Sequence, residues 1–164
     1  MHDVEVLRPT PDRVRETLFN WLQNFTEGAH CLDLYAGTGA LGFEAASRGA
    51  ASVVLVEKDR TLVDQLEKNI ITLEADNVKL EHADTLSWLQ RCSQKFDLLF
   101  LDPPFDQGFV EKSCDLLREK GCLEKKGLIY IEAERSLQLP SYLEILKEGS
   151  AGHVKFMLVK FIDQ

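Results

Sequence analysis

The chain has 164 residues, of which 45% are hydrophobic and 28% charged, and its formal net charge at pH 7 is −8. This length and composition are typical of one globular domain, and no apolar run approaches the ~20 residues that a membrane-spanning helix needs. The negative charge argues against a general nucleic-acid binder, because contacts with phosphate groups require Lys and Arg side chains.

The first predicted element is a helix that begins at Thr10 and Pro11. Threonine is a good N-cap, and proline is favoured at the first helical position. Apolar residues then recur at helical spacing, at Val14, Leu18, Trp21, Leu22 and Phe25. The polar face carries Arg13 and Arg15, which form with Arg8 the densest cationic group near the predicted site. Neighbouring acidic residues offset part of this charge, so a solvated helix face and a nucleic-acid contact both remain open.

Strands and helices alternate through the middle of the chain. The predicted strands are residues 31–34, 52–56, 78–80, 96–101 and 128–131. The predicted helices between them cover residues 43–48, a segment capped by Asp59 with an apolar line ending at Leu73, a segment from about Thr85, and a segment from Val110 to a stop at Gly121. Residues 142–146 and 154–161 are strand-like and are joined by residues 149–152, which predicts a hairpin.

This order of elements predicts an α/β fold. Strands that alternate with helices form a parallel sheet, and the helical connections between them are right-handed. The five alternating strands therefore predict a parallel sheet, to which the tail adds an antiparallel edge. We expect a Rossmann-like, mostly parallel central sheet of about seven strands, with helices on both faces and an antiparallel C-terminal hairpin. A single domain would span residues 1–164, with residues 1–26 as an N-terminal segment and helix and residues 29–164 as the catalytic sheet.

The cysteines and histidines predict neither a disulfide nor a metal site. None of the four cysteines lies in a Cys-x-x-Cys pair, and the four histidines are scattered without metal-ligand spacing. The first residues, which include Asp3 and Glu5, lack the basic and apolar regions of a signal peptide. We therefore expect a cytoplasmic protein with no metal and no membrane partner.

A glycine-rich turn follows the first predicted strand. Residues 37–42, Gly-Thr-Gly-Ala-Leu-Gly, match the dinucleotide fingerprint G-x-G-x-x-G, and Glu57 lies about twenty residues further on, so a nicotinamide cofactor is one interpretation. Asp33, near the end of the strand, would repel a diphosphate but favour an ammonium or sulfonium group. S-adenosylmethionine has both, together with a ribose diol for Glu57 and an adenine amine for Asp84.

Acidic residues end four successive predicted strands, at Asp33, Glu57, Asp84 and Asp102. Because parallel strands end at one edge of the sheet, these carboxylates would line one rim, where open α/β sheets bind ligands. Taken singly, Asp33 could instead stabilise a turn and Asp84 could cap the following helix. Their common register favours one binding site.

The turn after the fourth core strand has the sequence Asp102-Pro103-Pro104-Phe105. Two prolines remove two backbone N–H donors and leave a stiff turn that offers carbonyl oxygens. With the carboxylate of Asp102, these acceptors could hold an exocyclic –NH₂ group by its hydrogens while its nitrogen attacks an electrophile, and Phe105 could stack on the attached base. The alternative is a rigid solvent-exposed turn.

These motifs resemble, in order and spacing, those of the Rossmann-like S-adenosylmethionine-dependent methyltransferases that modify exocyclic amines. Residues 8–22, Arg-Pro-Thr-Pro-Asp-Arg-Val-Arg-Glu-Thr-Leu-Phe-Asn-Trp-Leu, are similar to the opening of the bacterial 16S rRNA guanine-N2 methyltransferases of the RsmD type. The resemblance implies a class I methyltransferase fold. It implies cofactor contacts at Thr10, Arg13, Asp33, Tyr35, Ala36, Gly37, Gly39, Glu57, Lys58, Ala83 and Asp84, and target-amine contacts at Asp102, Pro103, Pro104 and Phe105.

The resemblance also implies a reaction and a partner. The reaction is methyl transfer from S-adenosylmethionine to the N2 amine of a guanine in 16S rRNA, and the expected partner is 16S rRNA within an assembled or assembling small ribosomal subunit. Family members begin with a basic, glycine-containing segment, whereas residues 1–7 here include Asp3 and Glu5. Three alternatives remain open: an adenine-N6 methyltransferase acting on DNA or RNA, an NAD-dependent oxidoreductase and a non-catalytic RNA-binding module.

Overall fold

The computed structural model describes residues 10–162. Arg8, from the cationic group predicted above, lies outside them. The described helices are α1 (Asp12–Trp21), α2 (Ala40–Ser47), α3 (Arg60–Thr72), α4 (Thr85–Arg91) and α5 (Phe109–Lys120). The described strands are β1 (His30–Asp33), β2 (Ser52–Glu57), β3 (Val78–His82), β4 (Phe96–Leu101), β5 (Leu123–Glu134), β6 (Leu143–Ala151) and β7 (Val154–Phe161).

The strands form a seven-stranded sheet in the order β3-β2-β1-β4-β5-β7-β6. Strands β1 to β5 pair in parallel, and β7 pairs antiparallel with both β5 and β6. This confirms the predicted mixed sheet with its antiparallel hairpin. The chain leaves β1 toward β2 on one side, while β4 lies on the other side, so the strand order reverses between β1 and β4. A ligand crevice is expected at such a reversal.

Helices cover both faces of the sheet, as predicted. Leu32 of β1 and Leu99 of β4 belong to a buried cluster with apolar residues of α4 and α5. Their neighbours Cys31 and Phe100 belong to a second cluster with apolar residues of α1, α2 and α3. Successive side chains of a strand point to opposite faces, so apolar residues in consecutive positions bury both sides of a parallel sheet.

The C-terminal hairpin turns later than the sequence predicts. Strand β6 continues through Ala151, and Gly152 and His153 form the turn, so Gly149 is a strand residue. Gly149 lies opposite Phe156 of β7, and a Cβ atom at this position would approach the Phe156 ring to 2.7 Å. This glycine therefore makes room for an aromatic ring on the neighbouring strand. In the sequence alone, a glycine required for such packing cannot be distinguished from a glycine in a turn.

The start of α1 also differs from the prediction. The helix begins at Asp12 with Pro11 in the N-cap position and no side-chain cap. Thr10 is therefore not the N-cap, because its hydroxyl donates instead to Oε1 of Glu132 on β5, at 3.2 Å. In α3, the structure confirms Asp59 as the N-cap. The predicted apolar line is wrong at Leu73, which is 60% exposed, because the buried residues of that helix lie in its earlier turns.

Candidate active site

A cavity opens at the carboxyl edge of the parallel strands, beside the reversal between β1 and β4. Its floor is apolar, with Leu34, Val56 and Leu86 among its lining residues. Many of the residues predicted as site residues line it: Thr10, Asp33, Tyr35, Ala36, Gly37, Glu57, Lys58, Asp84, Asp102 and Pro104. The structure thus brings the four strand-end acids to one cavity.

Five other predicted site residues are not among those that line the cavity. Pro103 is buried, Phe105 and Ala83 are half-buried, and Gly39 is a buried residue of the glycine-rich turn that forms the N-cap of α2. Arg13 is exposed on α1 and lines a separate charged groove between α1 and α2. The ligand contacts assigned to these five residues stay predictions.

Glu57 connects the turns that follow β1 and β2. Its Oε1 accepts a hydrogen bond from the backbone N–H of Gly37 at 2.8 Å, and its Oε2 accepts one from Asp59 at 3.0 Å. Gly37 has a φ of 57°, in the left-handed region that glycine adopts at little cost. The carboxylate therefore holds the glycine-rich turn against the end of β2 and keeps lone pairs for a ligand, because a carboxylate offers about four acceptor sites.

Asp33 is a buried carboxyl group, only 2% exposed. Burial, and secondly the negative charge of Glu57, raises its pKa from 3.8 to about 7, against the opposing effect of a hydrogen bond from the backbone of Gly42. The bond from Gly42 gives Asp33 the turn-stabilising role considered as an alternative. A cationic group in the cavity would favour the ionised form, so the two roles are compatible.

This raised pKa predicts a pH-dependent stability. Asp33 keeps its proton in the folded chain up to about pH 7, whereas the unfolded chain loses it near 3.8. The free energy of unfolding is therefore highest at low pH and falls as pH rises toward 7, because the buried carboxyl group must then ionise. Asp33→Asn should therefore gain about 2–3 kcal/mol in the free energy of unfolding relative to wild type between pH 5 and pH 8. Urea unfolding at each pH measures this, with the exposed Asp64→Asn as the control. Parallel pH profiles for Asp33→Asn and wild type would contradict the prediction.

Asp84 caps helix α4 and also lines the cavity. Its Oδ2 accepts a hydrogen bond from the backbone N–H of Ser87 at 3.1 Å, which confirms the capping role considered in the sequence. The next residue, Thr85, donates its hydroxyl to the backbone oxygen of Leu34 at the end of β1. The cap and this bond fix the start of α4 against the sheet, so the exposed carboxylate of Asp84 is held at the cavity mouth.

Phe109 is an aromatic residue of the cavity that the sequence did not reveal. It is the first residue of α5 and lines the cavity with Pro104 and Tyr35. The Phe109 and Tyr35 rings are 5.9 Å apart, and the Tyr35 hydroxyl is 2.9 Å from Oγ of Ser113, one turn further along α5. The turn before α5 includes Asp106 and Gly108, both at positive φ, and no sequence pattern indicated which way it would direct Phe109.

Glu132 is a second residue that sequence reasoning missed. It is 1% exposed and accepts hydrogen bonds from Thr10 and from the Tyr130 hydroxyl, the latter at 2.8 Å. Its signal was present, because Glu132 follows the apolar residues 128–131 as Glu57 follows the apolar residues 53–56. The acid at the end of β5 thus extends the row that begins with Asp33.

Across residues 10–162, no cluster of three or more His, Cys, Asp or Glu side chains could hold a metal ion. Within the same residues, no helix is both long and apolar enough to cross a bilayer.

Comparison with known proteins identifies similar chains. Residues 1–160 match the model of the family described as conserved hypothetical protein 95. The chain is 44% identical over 155 residues to ribosomal RNA small subunit methyltransferase D of Escherichia coli, covering 93% of this chain and 78% of that protein. It is 42% identical over 160 residues to the protein of that name in Haemophilus influenzae, with coverages of 94% and 83%. The solved structure of E. coli yhhF, described as a methyltransferase, matches with a TM-score of 0.90 and 43% identity over 96% of this chain and 89% of that one.

Proposed function

The chain belongs to the family described as conserved hypothetical protein 95 and has a class I methyltransferase fold, and on this premise we propose that it methylates ribosomal RNA. The proposed reaction transfers a methyl group from S-adenosylmethionine to the exocyclic N2 amine of a guanine in small-subunit rRNA. The rRNA substrate is suggested by the names of the two curated relatives. The N2 specificity is taken from the resemblance at residues 8–22, and the motif at residues 102–105 supports an exocyclic amine as the acceptor.

The observation that carries the proposal is the convergence of strand-end acids on one cavity. Asp33, Glu57, Asp84 and Asp102 follow four neighbouring strands, and all four line the same space. An anionic diphosphate would meet these negative charges unfavourably, whereas a ligand with an ammonium group, a sulfonium group and hydroxyl donors would neutralise or hydrogen-bond them. The residues present therefore fit S-adenosylmethionine better than they fit NAD.

Each acid has a group to hold in this proposal. Asp33 would face a positive charge, Glu57 would accept hydrogen bonds from a ribose diol, and Asp84 would accept from an adenine amine. The bound S-adenosylmethionine supplies an electrophilic methyl group on a positively charged sulfur. The apolar floor of the cavity excludes water from the neighbourhood of these polar contacts, which strengthens them.

The turn after β4 would hold the methyl acceptor. The carboxylate of Asp102 would accept one hydrogen of the guanine amine and the carbonyl oxygen of Pro103 the other, so that the nitrogen lone pair points into the cavity. The amine nitrogen would form a bond to the methyl carbon as the bond between that carbon and the sulfur breaks, leaving a neutral thioether, and the amine would then lose one proton to solvent. A base in a folded RNA must leave its stack to reach this turn. Stacking of that base on Phe105 stays a prediction, because Phe109 is the phenylalanine that lines the cavity.

Docking of RNA needs more positive charge than the chain offers overall. The net charge of −8 opposes contact with a polyanion. We propose that the substrate is an assembled or assembling small subunit, in which ribosomal proteins provide part of the contact surface. Activity on assembled particles that exceeds activity on naked 16S rRNA would support this.

The proposed function is tested by product analysis. Labelled S-adenosylmethionine is incubated with 16S rRNA or with small subunits that lack the modification, and the RNA is digested to nucleosides for mass spectrometry. N2-methylguanosine is the expected product. N6-methyladenosine would replace the guanine assignment with the adenine alternative, and tight cofactor binding without any methylated nucleoside would contradict an rRNA substrate.

Removing the Glu57 carboxylate should weaken cofactor binding. Glu57→Ala loses the acceptor for the ribose diol and the bonds that hold Gly37 and Asp59, so we expect S-adenosylmethionine affinity to fall by about 10- to 100-fold. Isothermal titration calorimetry measures this, with Glu144→Ala on the exposed part of β6 as a matched control. Equal affinities for both variants would remove Glu57 from the binding site.

A further inference from the structure

Glu132 is a buried carboxylate that the proposed reaction does not use. Ile131 lies opposite Leu101 in the pairing of β4 with β5, so the next residues, Asp102 and Glu132, reach the same edge of the sheet. Because side chains alternate along a strand, Glu132 shares a face with Tyr130, which packs in the cluster that includes residues of α1. Glu132 therefore lies beside the catalytic turn and faces the first described helix.

Among residues 10–162, the hydroxyl groups of Thr10 and Tyr130 donate to this carboxylate. Oε1 of Glu132 accepts from the Tyr130 hydroxyl at 2.8 Å and from the Thr10 hydroxyl at 3.2 Å. A carboxylate in the protein interior is costly unless it is hydrogen-bonded. Moving either donor away would therefore raise the free energy of the folded chain, which favours the observed positions of both hydroxyl groups. Burial, with the negative charges of Glu132 and Asp102, raises the pKa of Tyr130, which keeps its phenol protonated as a donor.

Thr10 is the point at which this network reaches the cavity. Thr10 is 5% exposed and lines the cavity, although 122 residues separate it from Glu132 along the chain. Helix α1 has no side-chain cap at its N-terminus. The beginning of α1 is thus fixed to the sheet by the bond between Thr10 and Glu132 and by apolar packing that starts at Val14.

We propose that Glu132 is a positioning residue that holds Thr10 in the wall of the cofactor cavity. The chain entering α1 closes one side of the cavity only while this bond is made. Loss of the bond would let Thr10 and the start of α1 move away from the cavity, which weakens cofactor binding and leaves the catalytic turn after β4 unchanged. The inference rests on the proposed function, because S-adenosylmethionine is its probe.

The test compares two substitutions of Thr10 in the full chain. Thr10→Val keeps the shape of the side chain but loses the hydroxyl, whereas Thr10→Ser keeps the hydroxyl. Thr26→Val is the matched control, since Thr26 is also buried and its hydroxyl donates to the backbone of Leu22 outside the cavity. We expect Thr10→Val to lose about tenfold in S-adenosylmethionine affinity by calorimetry and to raise KM for it with kcat little changed. Thr10→Ser should recover most of that affinity, and Thr26→Val should stay within about twofold of wild type.

Hydrogen exchange of the amides at residues 15–18, whose N–H groups bond to carbonyl oxygens one turn earlier beginning with Arg15 to Pro11, supplies a readout that needs no ligand. These amides should exchange faster in Thr10→Val than in wild type, and Thr10→Ser should restore their protection. If Thr10→Val matched wild type both in its affinity for S-adenosylmethionine and in its amide exchange, the positioning role would be overturned and the proposed function would stand. Faster exchange in Thr10→Val, in a chain that binds no S-adenosylmethionine, would support the positioning role and overturn the proposed cofactor.

Discussion

Asp102→Ala is expected to lower the rate of methyl transfer by on the order of 10²-fold or more while S-adenosylmethionine binds almost as tightly as to wild type. An exocyclic amine of a base is a poor nucleophile, because its lone pair is delocalised into the ring. An acceptor aimed at the amine hydrogens favours the pyramidal geometry in which that lone pair is available and positive charge develops on nitrogen. Asp102 at the end of β4 acts on the transition state more than on the bound cofactor, so its loss should appear in kcat.

Asp102→Asn separates hydrogen bonding from charge. The amide keeps one acceptor oxygen of the same size but loses the negative charge, so it should retain part of the activity that Asp102→Ala loses. Single-turnover rates with labelled S-adenosylmethionine give the chemical step, and calorimetry gives cofactor affinity for the same variants. Asp97→Ala is a suitable control, since Asp97 lies on the same strand and its Oδ2 accepts from the backbone of His30 at the opposite end of β1. Unchanged turnover in Asp102→Ala would exclude Asp102 from the reaction.

The row of acids at one sheet edge has a cost to the folded state. Asp33 and Glu57 are near enough for the charge of Glu57 to add to burial in raising the pKa of Asp33. Burial likewise raises the pKa of Tyr130, and the charges of Glu132 and Asp102 add to that effect. Like charges brought together in a partly buried edge destabilise the chain unless hydrogen bonds or a ligand compensate. A bound cation would relieve this repulsion. Binding of a cationic cofactor should therefore raise the free energy of unfolding by more than binding of a neutral ligand that makes the same contacts.

Features of the fold that depend on neighbouring residues in the chain were predictable from the sequence. Strand β4 has the predicted bounds because the apolar run at residues 96–101 is buried on both sides and ends at two prolines. Asp59 caps α3 and Gly121 ends α5 at a φ of 65°, as local signals indicated. The four strand-end acids meet at one cavity because parallel strands share an edge.

The sequence was less informative where a residue's partner is distant in the chain. Thr10 has the features of a helix cap, but the buried Glu132 provides a better acceptor for its hydroxyl. Gly149 has the features of a turn residue, but it makes room for the ring of Phe156. The place of Phe109 in the cavity depends on the path of the preceding turn. Each of these outcomes requires the three-dimensional arrangement of other elements, which local patterns do not contain.

The glycine-rich turn predicts a large effect of a single methyl group. Gly39 has a φ of 84°, and a Cβ atom here would approach the Phe43 ring to 2.6 Å and Cδ2 of Leu66 to 2.7 Å. Gly39→Ala therefore combines left-handed backbone strain of about 1–2 kcal/mol with overpacking of about 1–3 kcal/mol. We expect a loss of about 2–5 kcal/mol in the free energy of unfolding, measured by urea denaturation at pH 7.

Gly28→Ala separates the two contributions. Gly28 has nearly the same φ, 80°, but no atom lies within 4 Å of the position that a Cβ would take. Its substitution should cost only the backbone strain of about 1–2 kcal/mol, so the difference between the two variants measures packing under the turn. Equal losses would mean that Phe43 and Leu66 move aside at little cost and that Gly39 is needed for its backbone conformation alone. A larger loss in Gly39→Ala would show that the turn can approach α2 and α3 this closely only because residue 39 lacks a side chain.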